Sequence, residues 1–507
     1  MRAGLHWTGE RSTRAIRFGL ACASLLIALS LLALSGAAAF GPVREPPPIR
    51  VSFRSSIPVS GTVAVRALPI VLGSVADFGA IPFGTQYRVT NNPGAQNEVS
   101  IAVNPRNPAN IVASANDYRG YPGLPGDVWC GVYATWDGGK TWLEQLVPRT
   151  GGLSVVTVSG DPSVAFDADG NAYAACLGFS RTTDDNTVAV SKSIDGGRVW
   201  GAPVALVTVN LPGEFHDKSY IGVDTSQSPT RGSVYVTWTK FMTGTDCGSY
   251  SAPIVLSRST DGGARWSRPV DISGAGYRCN QGSQPAVGPG GELYVSWMNY
   301  YFGGQRVAVE RSLDGGTTWG AVSTISARPP GDLYNGPPRT PHFPSLAVNP
   351  IDAPTGNRVH VVWTDERYGN ADILMATSSD GGSTWAAPIR MNDDVGANAQ
   401  FFPWVTASQK GWVFVSFYDR RDDPADHQLT VYVATSTDFG VSTGRNRRAS
   451  AQFDPGTWFI GDYIGIASFG DFAYPAWCDL RNLGEEEVYM AGPWLFAVPG
   501  PISGRLP

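Results

Sequence analysis

Thr135-Trp-Asp137-Gly-Gly139-Lys-Thr-Trp142 is one of six copies of a single pattern in this chain. The others are Ser193-Ile-Asp195-Gly-Gly197-Arg-Val-Trp200, Ser259-Thr-Asp261-Gly-Gly263-Ala-Arg-Trp266, Ser312-Leu-Asp314-Gly-Gly316-Thr-Thr-Trp319 and Ser378-Ser-Asp380-Gly-Gly382-Ser-Thr-Trp385. A worn copy, Ser436-Thr-Asp438-Phe-Gly440-Val-Ser442-Thr443, lacks the Trp. Successive aspartates stand 58, 66, 53, 66 and 58 residues apart. Each copy lies between two short β-like runs, so it reads as a hairpin turn. The carboxylate accepts backbone N–H groups, the glycines tolerate positive φ, and the Trp pins the turn to its own sheet. A period this long, built of strands, means small sheets repeated radially or in an array.

Around each copy a four-run unit recurs from residue 96 onward. Its second run is the most apolar, at 111–115, 172–176, 234–238, 293–297, 359–363, 413–417 and 472–477. That is seven units, the last opening at Gly461-Asp462-Tyr463-Ile-Gly-Ile without a hairpin motif of its own. The fold expected is all-β: a propeller of four-stranded blades, seven favoured and six the alternative, with the Asp-Gly-Gly hairpins on one face. The last unit is one strand short, and residues 61–95, with a strand candidate at 63–72, are placed to complete it.

The 507 residues include 60 Gly and 38 Pro and are only 16% charged, which suits a turn-rich β protein with a large core. Net charge is −5 and there is no basic stripe, so nucleic acid is not expected as a partner. Residues 1–39 read as a signal peptide: Arg2, Arg11, Arg14 and Arg17 precede or open an apolar run at 18–34, followed by Ser-Gly-Ala-Ala-Ala. An uncleaved leader is the alternative, and the only expected route to a membrane. Residues 40–60 form a Pro-rich linker, 61–495 the propeller and 496–507 a tail. The expected product is a monomer, secreted or held at the extracytoplasmic surface. Export permits disulfides. Cys130 and Cys176 sit at comparable levels of adjacent units, and Cys247 and Cys279 at neighbouring positions of the next two, so each pair is placed to bond; Cys478 is left as a buried thiol.

The repeated pattern is the Asp-box, Ser/Thr-x-Asp-x-Gly-x-x-Trp, and over about residues 96–492 the chain resembles the sialidase-like (BNR/Asp-box) propeller families. The aspartates Asp137, Asp195, Asp261, Asp314, Asp380 and Asp438 are then structural. The resemblance implies a glycan ligand on the face away from these hairpins. Two residue sets lie there. One is a repeated Asp-x-Arg after the second strand: Asp117-Tyr-Arg119, Asp365-Glu-Arg367, Asp419-Arg-Arg421 and Asp479-Leu-Arg481. Guanidinium groups of neighbouring units could clamp a carboxylate, as three arginines do in sialidases; the alternative is a salt bridge repeated with the unit. The other set stands where the first strands begin: Glu98, Asp161, Asp217 and Asp462, with His216 and His342 beside equivalent positions and Gln284, Phe343 and Phe402 in units four to six. It suits acid–base work on a sugar, or alternatively strand capping or a cation in the channel.

Sialidases use a tyrosine nucleophile on an inner strand of the last blade, and Tyr463 resembles it by position, with Glu98 as its base and Asp161 or Asp217 as proton donor. Arg119, Arg367, Arg421, Arg481, Asp462, His216 and His342 are the substrate-binding candidates. Two features depart from sialidases proper. Their arginine motif has only Phe53-Arg54-Ser-Ser-Ile57-Pro58 as a counterpart, with two residues inserted, so no role passes to Arg54; and they have six units. An exported exo-sialidase-type glycoside hydrolase acting on terminal, anionic sugars is the leading expectation. A non-catalytic propeller that binds glycans or proteins is the alternative. No cofactor or catalytic metal is expected.

Overall fold

The structure, a computed structural model, describes residues 85–495 except 125, 301–304, 327–338, 352–356, 457–458 and 483. The leader, the linker, the strand candidate at 63–72 and the tail from 496 lie outside the described residues.

Seven antiparallel sheets are present, each built around four consecutively paired strands, and they form a seven-bladed β-propeller. Blade 1 runs Gln96–Val103, Ile111–Asp117, Trp129–Thr135 and Leu143–Leu146, from the axis outward. The innermost strands of blades 2 to 7 are Val158–Phe166, Glu214–Val223, Asn280–Val287, Ser345–Val348, Gln400–Ala407 and Gly465–Phe469. The second strand of each blade is sandwiched between neighbouring blades. Ile111–Asp117 is buried along its whole length, and so is Val413–Asp419. Burial on both faces is why these runs are continuously apolar rather than alternating. The last blade takes its outermost strand, Gln86–Arg88, from the N-terminal side, where it pairs with Glu487–Ala491. Arg88 and Glu487 add an ion pair to that closure.

The hairpins show why their sequence repeats. In the second copy Ser193 Oγ donates to Asp195 Oδ1 (2.6 Å), which also accepts the N–H groups of Arg198 (2.9 Å) and Val199 (3.0 Å). The worn copy keeps this core: Ser436 Oγ donates to Asp438 Oδ1 (2.7 Å), and Ser442 N–H does too (2.9 Å). Gly197 has φ 97°, and a Cβ there would sit 2.9 Å from Ala134 Cβ of blade 1. Each hairpin therefore fastens its blade to the one before. Asn110, in the turn after the first strand of blade 1, donates to Gly196 O (2.9 Å). Hairpins and first turns thus share one face, and the inner strands begin on the opposite face. Cys130 is bonded to Cys176 between blades 1 and 2, with Cα atoms 6.4 Å apart, and Cys247 to Cys279 between blades 3 and 4, at 5.4 Å. Cys478 is free and buried.

Candidate functional site

Near its start, the inner strand of blades 1, 2, 3, 4 and 6 carries the same β-bulge, a register shift against the second strand. One residue in each bulge has positive φ: Glu98 (59°), Asp161 (48°), Lys218 (55°), Gly282 (69°) and Phe402 (52°). Glycine is the unstrained choice for this conformation, and blade 4 uses it. Elsewhere a side chain is held there at about 1–2 kcal/mol per residue. Strain of this kind, repeated at one level of the axis, marks the place where side chains are needed. The bulge also corrects the alignment of unit four: Gly282, not Gln284, is level with Asp161. Gln284 instead accepts the N–H of Leu346 (2.8 Å) and links blades 4 and 5.

Three of these residues meet. Lys218 Nζ donates to Glu98 Oε1 (2.8 Å) and Asp161 Oδ1 (3.2 Å), and it pairs with Asp462 Oδ2 (2.7 Å). One ammonium from blade 3 thus gathers carboxylates from blades 1, 2 and 7. Arg339, just before the inner strand of blade 5, grips Asp462 from outside through Nε (2.9 Å), with its guanidinium 4.8 Å from the centre of the Phe459 ring. Asp217 joins through a hydrogen bond to Asp161 and accepts from Gln281 Nε2 (2.8 Å). It is the most open of the four acids.

The environment splits their proton affinities. Burial raises every carboxyl here, but for Asp161 the charge of Lys218 and hydrogen bonds from Glu98, Asp217 and Lys218 outweigh it. Arg339 and Lys218 likewise keep Asp462 below its ordinary range. Burial and the charge of Asp161 push Glu98 well up and carry Asp217 to about 7. The cluster thus holds Asp161 and Asp462 toward the ionised form opposite Lys218 and Arg339, and shifts Glu98 and Asp217 the other way.

Tyr463 lies under this cluster, its ring 5.6 Å from Lys218 Nζ and packed against Tyr220 (5.3 Å) and Trp404 (5.8 Å). Those three rings, from blades 7, 3 and 6, fill the axis. The Tyr463 hydroxyl faces Pro162 O at 3.5 Å, and burial and the charge of Glu98 hold its pKa well above the ordinary value. Phe343 and Phe402 form the apolar half of the ring of inner-strand starts, both buried.

The four arginines of the Asp-x-Arg repeats lie on this face but are held at their own blades. Arg367 meets Asp365 through Nε (2.8 Å) and Nη2 (2.7 Å), and Arg421 meets Asp419 the same way (2.8 and 2.7 Å). Arg481 Nε donates to Asp479 (2.9 Å), and Arg119 Nη2 pairs with Asp117 (2.9 Å). Asp365 and Asp479 also accept the indole N–H of Trp363 and Trp477, both at 2.8 Å. Among the described residues none of the four arginines bonds to the axial cluster. His216 is also tied locally: Trp238 donates to its Nδ1 (2.6 Å), so Nε2 carries the proton toward Glu214 (3.0 Å), and burial lowers its pKa to about 4. His342 is buried, and burial lowers its pKa to about 4; among the described residues no hydrogen bond joins it to the cluster.

The structure thus brings Glu98, Asp161, Asp217 and Asp462 together beside Tyr463, and leaves Arg119, Arg367, Arg421, Arg481, His216 and His342 apart from them. Sequence reasoning missed Lys218 and Arg339. Lys218 had a signal, its place directly after Asp217 at the level of Glu98 and Asp161. Arg339 arrives from the connection before blade 5, where no repeat marks it.

No protein-family model matches the chain, and no curated protein does. Among solved structures the chain is similar to the Hadza microbial sialidase Hz136 (14% identity over 75% of this chain and 75% of that one, TM-score 0.43). It is also similar to an alpha-L-arabinanase of Penicillium chrysogenum complexed with arabinobiose (12%, 81% and 98%, TM-score 0.44). A third is a Dyadobacter fermentans protein of unknown function (16%, 67% and 94%, TM-score 0.42).

Proposed function

We propose that the protein is an exported glycoside hydrolase whose reaction centre is the axial cluster, with Asp217 as proton donor. The observation that carries this reading is the Asp161–Asp217 pair: two neighbouring carboxyls, one held below its ordinary range, the other raised to about 7 and partly exposed. An acid poised near working pH, at a mouth built from strained residues, is what general acid catalysis requires. The two carboxyls are closer than a pair that flanks a sugar, for which roughly 5–9.5 Å is usual, so they act as one unit in which Asp161 tunes Asp217. Asp217 protonates the glycosidic oxygen as the bond to the anomeric carbon breaks. Asp462, kept ionised by Lys218 and Arg339, faces the positive charge that develops on the sugar. Water attacks that carbon and returns a proton to the pair. An anionic sugar would meet Arg339, half exposed at the rim, rather than a clamp of three arginines. The leader and the two disulfides support export.

The second reading, a propeller that binds glycans without cleaving them, is favoured by the arginines, each occupied by its own aspartate. A panel of fluorogenic glycosides that includes a sialoside and an arabinofuranoside separates the two. We expect hydrolysis of at least one, falling as pH rises through about 7 and lost in Asp217→Asn. Binding on a glycan array with no turnover by the wild type would establish the second reading instead.

A further inference from the structure

A residue with positive φ needs something outside its own strand to hold it, because relaxing the bulge releases the strain. At two of the five inner-strand bulges the holder is a buried asparagine of the blade before. Asn116, on the second strand of blade 1, accepts the N–H of Asp161 at Oδ1 (2.8 Å), while its Nδ2 donates to Asn97 Oδ1 (3.1 Å). Asn186, on the third strand of blade 2, accepts the N–H of His216 (2.7 Å) and donates to His216 O (3.3 Å) and Gly178 O (3.1 Å). One side chain thus grips the backbone of His216 on both sides, including the peptide that leads into Asp217.

Gly160 belongs to the same device. A Cβ there would stand 2.8 Å from Asn116 Oδ1, so space rather than a backbone angle keeps the residue before Asp161 a glycine. The braces are also selective. Among the described residues no side-chain amide accepts a backbone N–H in the bulges at Glu98 and Gly282. The two braced bulges are the ones whose acids face each other.

We infer that Asn116 and Asn186 are positioning residues of the proposed reaction centre: each fixes, from the blade before, the bulge that presents one member of the Asp161–Asp217 pair. The inference rests on the glycoside hydrolase reading and adds residues that act through the backbone of the acids. The charged groups around Asp217 are Asp161 from blade 2, Lys218 of its own strand and Asp462 from blade 7, and Gln281 of blade 4 donates to it (2.8 Å). Freed from Asn186, the bulge can fall into register with its neighbour, and a slip of one residue turns side chains to the other face. Asp217 then leaves Asp161 and gains water, and both causes of its raised proton affinity weaken.

NMR of the full chain labelled at aspartate carboxyl carbons tests this, with the Asp217 signal identified as the one absent in Asp217→Asn. The wild-type signal is expected to titrate at about 7. Asn186→Ala is expected to lower that midpoint by about one unit or more, and to lower kcat on a glycoside that the wild type cleaves, with KM little changed. Gly160→Ala removes no buried amide but pushes Asn116 off Asp161; it is expected to move the midpoint the same way, and it keeps the test decisive should Asn186→Ala not fold. Asn110→Ala removes an equally buried asparagine that ties a hairpin on the opposite face. It is expected to lower the melting temperature and leave the midpoint in place. An unchanged midpoint in either folded bulge variant overturns the inference, whatever its turnover. An equal shift in Asn110→Ala overturns it too, by showing general loosening. A wild type that cleaves no glycoside overturns the reaction reading and the inference with it, and the turnover assay reports that outcome separately from the titration.

Discussion

Lys218 donates to carboxyls of two blades and pairs with that of a third, so removing its ammonium leaves Asp161 and Asp462 buried and short of a counter-charge. Breaking a buried pair from one side costs about 3–5 kcal/mol. Lys218→Met is therefore expected to lose stability of that order in chemical denaturation, and Lys218→Arg to recover part of it. Tyr463 tests a different idea. Its hydroxyl reaches only a carbonyl at 3.5 Å and no bond joins it to Glu98, so Tyr463→Phe is expected to change turnover less than tenfold. Loss of a true nucleophile costs orders of magnitude more, and a loss of that size would return Tyr463 to the mechanism. The acids were legible because they recur at one level of the repeat. What they do to each other was not, since the pairing of Asp161 with Asp217 depends on a bulge that one sequence does not display. The arginines were legible as a repeat, but only distances show that each is bound to the aspartate two residues before it.

The hairpin was the best-read element, because its spacing encodes its hydrogen bonds. Ser/Thr, Asp and Gly at fixed offsets are the atoms that meet in Ser193, Asp195 and Gly197. Its second role, fastening neighbouring blades, is invisible in the motif and follows from where Gly197 sits. Alanine there meets both a φ of 97° and Ala134 Cβ at 2.9 Å. Gly197→Ala is expected to cost about 2 kcal/mol or more, against less than half of that for Gly138→Ala, whose added carbon meets nothing within 4 Å. Equal costs in denaturant would mean that the backbone angle alone matters and that the inter-blade contact contributes nothing. The missing strand of the last blade was anticipated as a need. Its identity, Gln86–Arg88, was obscured because three residues, Gln-Tyr-Arg, are too few to show a strand pattern.

Between blades 3 and 4 the molecule holds a buried carboxyl whose Oε2, at Glu310, has no hydrogen-bond partner among the described residues, and burial and the charge of Asp271 push it up to about 8. The folded protein keeps this group protonated while the unfolded chain ionises it near 4.5. Its contribution is therefore full below pH 4.5 and is lost as pH rises through about 8. Glu310→Gln is expected to melt with the wild type at acidic pH and progressively above it from about pH 5 to 8. Parallel melting curves across that range would show the group to be ionised and paired.

The ring has no clasp until its final strands exist. Gln86–Arg88, among the earliest residues of the propeller to leave the ribosome, has its partner at Glu487–Ala491. A chain cut short anywhere before that point carries an unclosed circle with two bare edges, so translation to the end is itself a condition for a finished fold, and incomplete copies remain open to proteases.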